Sequence, residues 1–220
     1  METVELIRLG CYATNATTSF ILAVYFLRDF ARKRLRASLA WGLGFAFFGV
    51  AMVPMAAIAT IEITKPAMAI GVVISSLEVL FLYYGASLLF FREGSFFREK
   101  FAVIYFLATI VVGELFVMYT PIEKVAERLA PGVTAIIAIV YIACAILFFQ
   151  VSRRLPKDDP RRRTITLVSL GWVFIVLWAF YIAVFWLRAP ASADAALFLL
   201  GSVGFVLVLY GMITGKATRR

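Results

Sequence analysis

Residues 67–91 read AMAIGVVISSLEVLFLYYGASLLFF, and the only charged side chain in this run is Glu78, near its middle. A helix needs ~20 apolar residues to cross the hydrocarbon core, so the run is long enough to span a bilayer. A carboxylate near the bilayer centre is costly, and by default it marks a functional position. The helical face through Glu78 carries Gly71, Ser75, Leu82 and Gly85, small and polar enough to turn inward.

Similar apolar runs lie on either side of it. They predict one integral membrane domain over residues 1–220, an all-α seven-transmembrane-helix bundle with short loops. The spans fall at about 6–27, 39–61, 67–91, 101–120, 132–151, 164–187 and 195–213. Composition agrees: 63% of the 220 residues are hydrophobic, against ~45–50% in soluble domains. Lys65-Pro66 reads as the turn before the third span, and Pro131-Gly132 as the opening of the fifth. Residues 122–130 have the mixed charge of a short interfacial turn. Pro54 is expected to loosen the second helix, and Trp186 fits an interfacial aromatic belt.

The net charge of +9 is a topology signal, because it is unevenly placed. Arg8, Lys65, Lys124, Arg128 and Arg188 fall on one side of the spans, and the other 17 of 22 basic residues on the opposite side. The positive-inside rule then puts the N-terminus outside and the C-terminus in the cytoplasm of a multi-pass cell-membrane protein. The expected partners are the lipid bilayer, anionic lipid headgroups at the basic loops, and a second copy or a membrane partner protein. Nucleic acid is not expected.

Histidine is absent and there are two cysteines, Cys11 and Cys144, both within spans. No cofactor or metal site is expected, and no catalytic residue is assigned. Ser-His and Cys-His arrangements are excluded, which leaves a lipid-modifying enzyme as a distant third reading. Gln150 is the only glutamine, and this scarcity points weakly to a thermophilic source.

Three polar groups that are costly to bury, Asn15, Glu78 and Glu114, fall near the middle of the predicted spans, on the outer side. Cys11, Asn15 and Ser19 recur every four residues on one face of the first helix, and Asn15 carries a carboxamide that is hard to hide. Glu114 lies in the fourth helix. Residue counts place Asn15, Glu78 and Glu114 at a common depth, within roughly 6 Å of the midplane. Each carboxylate lacks a basic partner inside the membrane, so it should be protonated, hydrated or bound to a cation. The bland alternative is interhelical glue, worth ~0.6–2 kcal/mol. Trp178 and Tyr181 in the sixth helix need partners for N–H and O–H and complete the expected ligand- or ion-binding set with Ser75.

Seven spans with the N-terminus outside resemble the microbial rhodopsins in outline. Residues 195–214 contain no lysine, however, which argues against a retinal pigment. The basic turn, Trp41 and the Gly-rich second helix look like membrane sensor regions of archaeal and bacterial signalling proteins. The leading expectation is a small transporter or channel with a polar cavity for a cation or proton. The alternative is a sensor or receptor-like module signalling through a partner at its basic loops.

Overall fold

The computed structural model describes residues 3–57, 64–184 and 190–217. The described residues form seven α-helices: α1 (Thr3–Lys33), α2 (Arg36–Ala57), α3 (Lys65–Phe90), α4 (Lys100–Tyr119), α5 (Ile122–Arg154), α6 (Pro160–Val184) and α7 (Ala191–Ala217). Six of them, α2 to α7, are long and apolar enough to cross a membrane. This is the make-up of a multi-pass membrane protein in a lipid environment. The polar group in the middle of α1 keeps that helix out of the set.

Several boundaries differ from the sequence reading, each for a local reason. Lys65 and Pro66 are the first residues of α3 and not a preceding turn. Proline suits a first helical turn, and the Thr64 hydroxyl caps it by accepting from the Ala67 N–H at 3.4 Å. Pro131 lies inside α5, which runs unbroken from Ile122. One proline removes a single backbone bond, and the 122–130 segment has the same helical period as the apolar run it joins. The end of the second span beyond Ala57, and Trp186, lie outside the described residues.

Successive helices run antiparallel. α1, α2, α3, α5, α6 and α7 close into a ring, each packed on the next, with α7 returning to α1. α4 stands outside the ring, leaning on α3 and α5. Its Val103, Ile104, Leu107, Val111, Val112 and Leu115 are exposed, a perimeter suited to hydrocarbon.

The ring encloses an aromatic core. Trp172 of α6 is wholly buried and meets Trp41 and Phe45 of α2 at centroid distances of 5.9 and 6.2 Å, and Tyr141 of α5 at 5.6 Å. One layer over, Phe48 of α2 packs on Phe205 of α7 at 4.6 Å.

α6 and α7 touch backbone to backbone. A Cβ at Gly171 would lie 2.6 Å from the carbonyl oxygen of Gly204, and one at Gly204 would lie 2.7 Å from that of Gly171. Neither backbone can swing aside as a side chain would. Gly171→Ala is therefore expected to destabilise the protein by about 1–3 kcal/mol, despite alanine's better helix propensity. Thermal unfolding in detergent would show it. Gly10→Ala, at a position with nothing within 4 Å, is the matched control and should cost nothing.

Candidate functional site

Glu78 is 1% exposed at the middle of α3. Its carboxyl Oε1 accepts a hydrogen bond from the Tyr141 hydroxyl at 2.8 Å. Tyr141 is itself fixed by its ring contact with Trp172, so the acid is sealed beneath the aromatic core. No ion pair to Glu78 occurs among the described residues. The buried face of α3 is slightly rotated from the one expected: Val72, Ser76, Val79, Leu82 and Gly85 are buried with Glu78, while Gly71 and Ser75 are half-buried.

Cys11, Asn15 and Ser19 are all buried on one face of α1, as their spacing implies. Both carboxamide atoms of Asn15 are buried without a hydrogen-bond partner, and so are the hydroxyls of Ser19, Ser76 and Ser202 and the indole N–H groups of Trp172 and Trp178. A buried polar atom left unpaired costs ~1–3 kcal/mol, so such a concentration needs an explanation. Both cysteines are free.

The three midspan groups are not brought together. Gly42 on Leu27 and Gly49 on Phe20 set the register of α1 against α2, and Gly44 on Leu82 and Gly85 on Trp41 set that of α2 against α3. These contacts put Asn15 about 9 Å nearer the amino-terminal end of the bundle than Glu78. Gly113 on Val72 and the Lys65 ammonium on the Met118 carbonyl place Glu114 about 10 Å from Glu78 in the same direction. Asn15 and Glu114 thus share a level, but α1 makes no backbone contact with α3 or α4. Glu114 is half-buried on peripheral α4, with no ion pair among the described residues. The common depth expected from residue counts fails because the helices start at different heights.

Trp178 packs between Phe198 and Phe205 of α7, at 6.0 and 6.4 Å. Tyr181 belongs to a different cluster, which sequence reasoning missed. Its hydroxyl donates to Asp194 Oδ1 at 2.8 Å, and Arg8 Nε donates to Asp194 Oδ2 at 2.6 Å. Asp194 is 2% exposed, and the Arg8 guanidinium lies 5.8 Å from the centre of the Phe198 ring. The cluster ties α1, α6 and α7 together at the amino-terminal end. Its only sequence signal is a pair of opposite charges near the starts of the first and last helices, which an odd number of antiparallel helices puts at one end.

At the opposite end, the Arg161 side chain and backbone N–H both donate to Asp159, holding its carboxyl below the usual range. Among the described residues, no group of three or more Cys, Asp or Glu side chains is placed to hold a metal ion. No family model, curated protein or solved structure matches the chain.

Proposed function

We propose that this chain is a small transporter or channel of the cell membrane that handles a proton or small cation at Glu78. In this reading all seven helices span, with the N-terminus outside and the basic carboxy-terminal end in the cytoplasm against anionic headgroups. What supports it is the buried carboxyl of Glu78, which no basic side chain among the described residues balances; its single hydrogen bond, from Tyr141, is equally what interhelical glue would make, and flux in liposomes separates the two. Such a group is tolerable as a neutral acid or with a cation beside it, and exchange between those two states is the elementary step of proton- or cation-coupled movement.

The structure is then a closed state. Opening requires Tyr141 to leave Glu78 and the aromatic core to part. An ion entering from the amino-terminal end would pass the level of Asn15 and Glu114 before reaching Glu78. The unpaired carboxamide of Asn15 is suited to a passing ion or its water.

Purified protein in liposomes should show pH-dependent flux of protons or a monovalent cation, and Glu78→Gln should abolish that dependence. Flux that Glu78→Gln leaves unaltered at every pH overturns the proposal.

One observation favours a second reading, a sensor or receptor-like module without transport. The ring is filled by Trp172, Tyr141, Phe45 and Phe48, each no more than 2% exposed. Its output would pass through a partner at the basic turns around Arg32–Arg36 and Arg153–Arg163. Co-purification of a defined partner, lost on reversing charges in those turns, together with an absence of flux would select it.

A further inference from the structure

The turn between α3 and α4 reads FFREGSFFRE over residues 90–99, one tetrapeptide repeated on either side of Gly94-Ser95. Because α4 stands outside the ring, this turn lies at the edge of the bundle and meets its surroundings from the side. Phe90, Phe91, Phe96 and Phe97 are all exposed, Phe97 by half. Their rings join Phe101 in one cluster with centroid distances of 5.5 to 6.4 Å. Phenyl rings offer water no polar tip, so the cluster belongs at the edge of the hydrocarbon. The charges beside it then fall in the headgroup layer.

The backbone of the turn is fixed. Gly94 supplies a φ of +80°, and the Ser95 N–H donates to the Arg92 carbonyl at 3.1 Å. The Tyr83 and Ser87 hydroxyls, one turn apart on α3, donate to the consecutive carbonyls of Phe97 and Arg98, each at 2.8 Å. Its charges, in contrast, are uncommitted. Arg92, Glu93, Arg98, Glu99 and Lys100 make no ion pair among the described residues. The Nε of half-buried Arg98 is out of solvent and has no acceptor. A preorganised backbone here presents unpaired charges of both signs to whatever lies alongside.

The pattern of signs narrows what that is. Residues 28–36 and 153–163 are dominated by basic side chains, whereas in this turn each arginine is followed at once by a glutamate. An anionic headgroup would gain from the arginines but meet two carboxylates. A headgroup with a phosphate and a primary ammonium satisfies both, guanidinium on phosphate and carboxylate on ammonium. The amino-terminal end of α4, where Glu99 makes no side-chain cap bond, adds its dipole on the phosphate side. A choline headgroup has no N–H to give the carboxylates. A soluble partner is disfavoured by the phenyl cluster, which hydrocarbon already covers.

We infer that the α3–α4 turn binds phosphatidylethanolamine, with Arg92 and Arg98 on the phosphate and Glu93 and Glu99 on the ammonium. The inference rests on the membrane setting alone and stands whether or not Glu78 moves an ion.

The test is native mass spectrometry of the purified full chain in non-ionic detergent, with equimolar phosphatidylethanolamine, phosphatidylcholine and phosphatidylglycerol of one chain length. Bound phosphatidylethanolamine is expected to exceed phosphatidylcholine about three- to tenfold. Arg92→Gln with Arg98→Gln should remove that excess. Glu93→Gln with Glu99→Gln should also remove it and should raise bound phosphatidylglycerol, because the arginines then face an anion with no carboxylate against it. A purely structural role for these side chains would not exchange one lipid for another. None of the four is buried, so both double variants should keep the helical circular dichroism of the parent. Equal binding of phosphatidylcholine and phosphatidylethanolamine by the parent overturns the inference. So does an ethanolamine excess that survives both double variants, or a loss of phosphatidylglycerol rather than phosphatidylethanolamine when the arginines are removed.

Discussion

Arg8→Ala is expected to destabilise the protein by about 3 kcal/mol, and Asp194→Ala by less, about 1–2 kcal/mol. The asymmetry follows from which charge each change abandons. Without Arg8, Asp194 stays buried with the Tyr181 hydroxyl as its remaining side-chain donor, apart from the favourable end of the α7 dipole. Without Asp194, the Arg8 side chain is one-third exposed, and its long stem can carry the guanidinium to water. That exposure also keeps the first figure at the low end for a broken buried pair. Replacing both, as Arg8→Met with Asp194→Leu, should recover most of the loss, because no charge is then stranded. Denaturant or thermal unfolding in micelles, read as a double-mutant cycle, measures this. Equal single costs, or strict additivity, would show that the two groups act independently.

That cluster also shows where sequence reasoning stops. Arg8 and Asp194 are 186 residues apart, and nothing near either one names the other. What was legible came from local repetition. The long apolar runs gave α3, α4 and α7 to within about four residues at both ends, and the starts of α2 and α6 equally closely, because hydrocarbon thickness sets their length. The four-residue spacing of Cys11, Asn15 and Ser19 picked out the buried face of α1. Glu78 was legible as an anomaly, but Tyr141 as its partner was not. Chain order suggests that α3 meets α4 and then α5, whereas the structure sets α4 outside the ring and lets α3 touch α5 directly. The depth estimate failed for a related reason. Counting residues from span ends assumes a common starting height, and α1, which runs on past its apolar run to Lys33, and α4, shorter at 20 residues than the 26 of α3, break that assumption.

Trp172→Ala should be the most damaging single truncation in the core, at about 3–5 kcal/mol. The side chain is wholly buried and bridges α2, α5 and α6 through Trp41, Phe45 and Tyr141, so its removal leaves a cavity that three helices must collapse to fill. Trp172→Phe should cost far less, under about 1.5 kcal/mol, even though it is also smaller. The indole N–H of Trp172 has no hydrogen-bond partner, so losing it removes an unsatisfied donor and offsets part of the lost packing. The two variants separate packing from function, because Trp172 holds the ring of Tyr141, and Tyr141 supplies the hydrogen bond to Glu78. If Glu78 is the titrating group of a transport step, Trp172→Ala should alter the pH dependence of flux in liposomes as well as stability. Trp172→Phe, which keeps an aromatic ring against Tyr141, should preserve that dependence. A flux profile in Trp172→Ala that matches the parent at every pH would confine the tryptophan to packing and detach the aromatic core from the chemistry of Glu78.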